Sequence, residues 1–88
     1  MARKVEFKKF LIIECTAREM YVACGSPGIC DFCGDPSAEG YYIAVLNHWY
    51  CPECFEEWKQ RARYYPQDAV VERRNYAYYA SRLGLKSQ

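Results

Sequence analysis

Four cysteines form two closely spaced pairs in the middle of the 88-residue chain. Two residues separate Cys30 from Cys33, two separate Cys51 from Cys54, and seventeen residues lie between the pairs. Two intervening residues let one backbone turn aim both sulfurs at the same point, and two such turns complete the tetrahedron of thiolates that zinc prefers. The spacing lies in the range typical of zinc sites. We therefore predict that these four cysteines bind a single zinc ion.

Four thiolates leave a zinc ion with no open position for water, so the predicted site is structural rather than catalytic. The sequence has no glycine-rich phosphate loop and no recognisable Ser/His/Asp arrangement. We therefore expect the chain not to be an enzyme. A core built from so few residues is marginal on hydrophobic burial alone, and a bound metal commonly supplies the missing stability.

Iron electron transfer and thiol–disulfide exchange also use paired cysteines. Rubredoxin-like iron sites have a glycine after each pair, whereas here Gly34 follows the first pair and Phe55 the second. A thioredoxin-type dithiol lies at a helix start within a βαβ unit, and the second pair meets only the first of these conditions. A redox or iron electron-transfer protein remains an alternative, as do four thiols without a ligand.

Two further residues are candidates to support the site from outside the ligand set. Gly34 allows the chain to bend after the first pair, and backbone N–H groups there can donate to a thiolate sulfur. His48 lies three residues before the second pair and could replace Cys54, but we expect a hairpin histidine that at most hydrogen-bonds a sulfur. Cys15 and Cys24 lack ligand spacing, and we expect them to be core thiols.

The segments around the second pair carry the signals of a hairpin followed by a helix. Residues 41–46 and 48–50 are rich in β-forming side chains, and Asn47 between them suits a bend. Pro52 suits the first turn of a helix, where its missing N–H costs nothing. The expected apolar face of that helix contains Phe55, Trp58 and Ala62.

A loop with one cysteine pair, a hairpin, and a second pair leading into a helix resembles the treble-clef zinc finger. The spacing is similar to that of the second finger of LIM domains, although LIM proteins carry two fingers in tandem. The resemblance covers about residues 29–64. It implies a small α+β fold in which the last two zinc ligands lie at the start of a helix.

The chain before the finger, residues 1–28, is predicted to be a strand or helix extension packed on it. Periodicity does not decide whether residues 5–14 form a strand or begin a helix. Thr16 and Glu19 have the spacing of a capping box, which predicts a short helix closed by Gly25.

The chain after the finger, residues 65–88, is predicted to form a C-terminal helix. Asp68 is its expected N-cap, and the helix should run to about Leu83 and stop at Gly84. Tyr76, Tyr79 and Ala80 share one helical face and should pack on the rest of the protein. The three segments together should form one domain.

Charge is unevenly distributed along a chain whose net charge is only +1. Residues 30–58 carry six acids and no lysine or arginine, whereas residues 59–88 carry seven basic residues against two acids. Arginines interleaved with aromatic residues can bind nucleic acid through phosphate contacts and base stacking. The residues that would make such contacts are Arg61, Arg63, Arg73, Arg74 and Tyr78.

The acidic centre opposes this second function, because a four-thiolate zinc site adds further negative charge and repels phosphate. We therefore expect a protein partner, with nucleic acid as the alternative. No stretch approaches the ~20 apolar residues of a membrane span, and no signal peptide is recognisable. Paired cysteines of this kind stay reduced in the cytoplasm, which is the expected location. The sequence leaves the oligomeric state open.

Overall fold

The computed structural model describes residues 2–85 of the chain, which form an α+β fold. The helices and strands are β1 (Arg3–Phe7), β2 (Phe10–Thr16), α1 (Ala17–Cys24), β3 (Glu39–Ile43), β4 (His48–Tyr50), α2 (Pro52–Arg61) and α3 (Ala69–Arg82). The four strands form one antiparallel sheet in the order β1-β2-β3-β4. The α+β class is confirmed. The predicted segment 65–88 includes residues 86–88, which lie outside the described part.

Side chains that alternate along the strands divide the core into two clusters, one on each face of the sheet. On one face, Ile13, Tyr42 and Trp49 pack with residues of α1 and α3. On the other face, Ile12 and Ile43 pack with Phe55 and Trp58 of α2. Helices α1 and α3 therefore cover one face and α2 covers the opposite one.

Residues 5–14 belong to an antiparallel hairpin rather than to a helix. Strand β1 pairs with β2 through a two-residue turn at Lys8 and Lys9, and Lys8 adopts the left-handed conformation with φ 52°. The rings of Phe7 and Phe10 stack with centroids 5.8 Å apart, and Phe10 packs edge-on against Trp58 at 4.9 Å. Because β2 also pairs with β3, the first strands belong to the same sheet as the predicted finger.

Helix α1 begins and ends as predicted. The Thr16 hydroxyl accepts the Glu19 N–H at 3.0 Å, and the Glu19 carboxylate accepts the Thr16 N–H at 2.8 Å. Gly25 ends the helix with φ 72°. The expectation of two core thiols is confirmed for Cys15 and wrong for Cys24. Cys15 is buried, which raises the pKa of its thiol to about 12, but Cys24 is exposed at the end of α1.

A close approach between Gly40 of β3 and Trp49 of β4 fixes the middle of the sheet. A Cβ atom at position 40 would lie 2.5 Å from the Trp49 ring, so only glycine fits beneath the indole. The indole N–H donates to the Cys15 carbonyl oxygen at 3.3 Å. Trp49 thereby joins β2, β3 and β4 from one side.

Helix α3 is attached to the sheet by two polar side chains as well as by its apolar face. The Glu72 carboxylate accepts the Leu11 N–H at 2.8 Å, and the Asn75 amide donates to the Ala44 carbonyl oxygen at 2.9 Å. The expected burial of Tyr76 is confirmed. Asp68 does precede α3, but it lies in a short 3-10 turn and its side chain makes no capping hydrogen bond.

Glu72 generates a prediction about stability and pH, because its side chain is only 2 % exposed. Burial raises the pKa of the Glu72 carboxyl, and the hydrogen bond from Leu11 opposes the rise only in part. A carboxyl with a raised pKa in the folded protein stabilises the fold at low pH and loses that contribution as the pH rises through the folded-state value. The stability of Glu72→Gln relative to the natural protein should therefore increase from pH 4 to pH 7.

Glu72→Ala should instead lower the free energy of unfolding by about 1–3 kcal/mol, because the Leu11 N–H loses its acceptor. Urea unfolding of both variants at several pH values measures these differences. Glu39→Gln, which removes an exposed carboxylate from β3 away from Leu11, is the matched control and should show neither effect. Equal destabilisation by Gln and Ala would show that Leu11 does not depend on the acceptor.

Candidate metal centre

The second cysteine pair lies where β4 runs directly into α2. Cys51 is the N-cap residue of the helix with extended backbone angles (φ −66°, ψ 163°), and Pro52 occupies the first helical position as predicted. Cys54 lies in the first turn. The junction between a strand and a helix therefore sets the direction of both sulfurs.

The first pair lies in a tight loop that the backbone closes on itself. The Cys30 N–H donates to the Asp35 carbonyl oxygen at 2.9 Å, and the Gly34 N–H donates to the Cys30 carbonyl oxygen at 3.0 Å. Gly34 has φ 78°, the left-handed conformation that the predicted bend requires. One of the backbone N–H groups that reach a sulfur is that of Phe32, 3.4 Å from the Cys30 Sγ.

Asp31 holds this loop against β4 through two hydrogen bonds. Its backbone N–H donates to the Trp49 carbonyl oxygen at 2.9 Å, and its carboxylate accepts the Trp49 N–H at 2.9 Å. The first loop thus covers the outer edge of β4, the strand that leads into the second pair. This contact brings the two pairs together.

All four sulfurs, those of Cys30, Cys33, Cys51 and Cys54, lie within 4.8 Å of one another. The Cys33 and Cys51 sulfurs are 3.9 Å apart, and all four cysteines are free thiols rather than disulfides. Metal–sulfur bonds of about 2.3 Å in a regular tetrahedron place sulfurs about 3.8 Å apart. The cluster can therefore hold one metal ion with little rearrangement.

The thiols of the cluster differ in how readily they ionise. Burial alone would raise the pKa of the Cys30 thiol, but backbone N–H groups, including that of Phe32, outweigh it and lower the pKa to about 6. Burial and the neighbouring thiols raise the pKa of Cys54. One sulfur is thus readily ionised while another holds its proton in the absence of a cation, and a divalent ion would favour the thiolate form of all four.

His48 does not belong to this cluster. It lies exposed on β4, and its ring centroid is 6.0 Å from that of Tyr50. Among residues 2–85, the cluster of possible ligands contains the four cysteines and no histidine or carboxylate.

The five residues considered for nucleic-acid contact do not share one surface. Arg61 of α2 lies 5.4 Å from the Phe32 ring centroid, beside the first cysteine loop. Arg73, Arg74 and Tyr78 belong to α3, which covers the opposite face of the sheet, and Arg63 follows α2 in an exposed connection.

Two residues at the site escaped the sequence analysis. The spacing of the cysteines predicts no role for Asp31 or for Phe32. Phe32 is 55 % exposed although it lies between two candidate ligands, and its ring packs against Tyr50 at 5.7 Å and against Arg61. Large apolar residues are usually buried, so the sequence alone does not indicate that this one is exposed. The exposed ring becomes evidence for a binding surface only when the structure is known.

Comparison of the chain with protein families, with curated proteins and with solved structures found no significant match. Within residues 2–85, no helix combines the length and the apolar character that crossing a membrane requires.

Replacing one candidate ligand tests the centre directly. Cys54→Ser should reduce the metal content of the purified protein from one ion per chain to a small fraction, because a hydroxyl is a poor substitute for a thiolate. Elemental analysis after dialysis against a weak chelator measures this content. Cys24→Ser, the matched control at an exposed cysteine outside the cluster, should keep the full amount. Equal metal content in both variants would rule out Cys54 as a ligand.

Proposed function

We propose that the protein is a structural zinc-binding module that serves as a scaffold for binding another protein. The observation that carries the proposal is the convergence of four free sulfurs from two separate loops within 4.8 Å. An all-thiolate tetrahedral site suits zinc, and its closed coordination suits a structural role. Iron is the weaker choice because a helix, not a second glycine-closed loop, follows Cys54.

The order of elements around the cysteines supports a treble-clef-like finger over residues 29–64. The first loop is followed by the β3–β4 hairpin and then by α2, whose first turn carries the second pair. In this arrangement the ion joins the loop to the helix. Binding of zinc by four-ligand peptides contributes on the order of 10 kcal/mol, which is comparable to the whole stability of a small domain.

The surface beside the metal centre supports a protein partner. Phe32 is displayed from a loop that Asp31 and the sulfurs constrain, so its exposure is built into the site. An exposed aromatic ring next to an arginine, here Arg61, is the composition that binding hot spots favour. The separation of Arg61 from the cations of α3 argues against a continuous phosphate-binding surface. A reducing compartment such as the cytoplasm suits these free thiols.

Removing the metal should unfold the finger. A strong chelator with a reducing agent should abolish the near-UV circular dichroism of the buried tryptophans, and stoichiometric zinc should restore it. Purified protein should be colourless, since zinc has no visible absorption. An unchanged spectrum after chelation would refute the structural role, and visible absorption from bound iron would assign the site to the electron-transfer alternative.

Phe32→Ala should weaken capture of a protein partner about tenfold while zinc content stays at one ion per chain. Quantitative affinity capture with the zinc-loaded protein, repeated after nuclease treatment, measures this. Tyr65→Ala is the matched control, because it removes an aromatic ring that is 48 % exposed outside the metal loop. Capture that resists Phe32→Ala would remove Phe32 from the binding surface, and capture that nuclease abolishes would favour nucleic acid.

A further inference from the structure

A groove of about 620 Å³ lies between α3 and the β1–β2 hairpin, on the face of the sheet opposite to α2. Tyr76 and Ala80 of α3 form its buried floor together with the half-buried Leu11 of β2. Ala77 and Arg73 lie on its exposed rim. Its size falls within the range of about 300–1,000 Å³ that small-molecule sites occupy.

The groove exists because short side chains of α3 face a long stretch of sheet. Helix α3 packs mainly on β2, and β1 lies beyond it as the outer strand. Ala77 and Ala80 are too small to reach across to the hairpin, so the helix leaves space above Leu11. The space is apolar below and open to solvent above.

Two cations border this apolar space. Lys4 extends from β1 with its ammonium 5.9 Å from the Tyr76 ring centroid, and Arg73 lies on the first half of α3. Within residues 2–85, neither side chain has a carboxylate within salt-bridge distance. Of the nearby acids, Glu72 is buried against the Leu11 N–H, and Glu6 does not line the groove.

We propose that this groove binds a small amphipathic anion. Its apolar body would lie over Leu11, Tyr76 and Ala80, and its single anionic group would lie between Lys4 and Arg73. Charge complementarity carries the choice, because two cations that form no salt bridge within residues 2–85 border an apolar surface and attract a ligand that offers both properties. This site is separate from the candidate metal centre, so the proposal does not depend on zinc binding.

The probe for the test is 8-anilinonaphthalene-1-sulfonate, which has an aromatic body and one anionic group. We expect its fluorescence to rise on binding to the zinc-loaded protein, with amide chemical-shift changes concentrated around Leu11, Tyr76 and Ala80. Lys4→Gln and Arg73→Gln should each weaken binding about threefold, the effect expected of one partly exposed ionic contact. Ala77→Phe, which fills the groove from its rim, should abolish binding.

Two controls separate the groove from general effects. Arg74→Gln removes the same charge from the same helix outside the lining and should leave the affinity unchanged. The neutral analogue N-phenyl-1-naphthylamine lacks the sulfonate, so its binding should respond to Ala77→Phe but not to Lys4→Gln.

Several results would overturn the proposal. Equal weakening by Arg74→Gln would indicate non-specific charge attraction, and shift changes centred on Phe32 would place the probe at another surface. Amide shifts of the lining that move with protein concentration would assign the groove to a second copy of the chain. Tighter probe binding by a chain ending at Leu85 would assign it to residues 86–88.

Discussion

The candidate metal centre depends on bringing two cysteine pairs, separated by seventeen residues, to one point. The strand-to-helix junction at Cys51 sets the direction of the second pair, and the self-closed loop sets that of the first. Neither device determines the distance between the pairs. Asp31 does so by bonding both backbone groups of Trp49, so the first loop lies along the strand that leads into the second pair. One aspartate therefore links backbone pairing to the geometry of the sulfurs.

The sheet separates the candidate metal centre from the apolar groove. The candidate metal centre and α2 lie on one face, and α1, α3 and the groove lie on the other. Trp49 connects them: its backbone receives the cysteine loop while its indole lies over Gly40 in the opposite core. Loss of the metal should therefore disturb the α2 face first, and its effect on the groove would have to pass through β4.

Local signals predicted the parts of the structure that local chemistry determines. The capping box at Thr16, the proline at the start of α2 and the β3–β4 hairpin were all readable, because each depends on residues close together in sequence. The first hairpin was not, since its turn uses Lys8 in a left-handed conformation that glycine or asparagine usually adopts. The burial of Glu72 was also unpredictable, because its partner Leu11 lies 61 residues away.

Contacts that only the folded structure reveals also change the estimate of negative charge on the finger. Six acids in residues 30–58 oppose phosphate binding only insofar as their charge reaches the surface unopposed. Glu56 and Glu57 pair with Lys59 and Arg61 on α2. The acid count therefore overstates the field of the finger. What remains against nucleic acid is the charge that a four-thiolate centre would carry and the placement of the cations on opposite faces. The preference for a protein partner consequently depends more on Phe32 than on net charge.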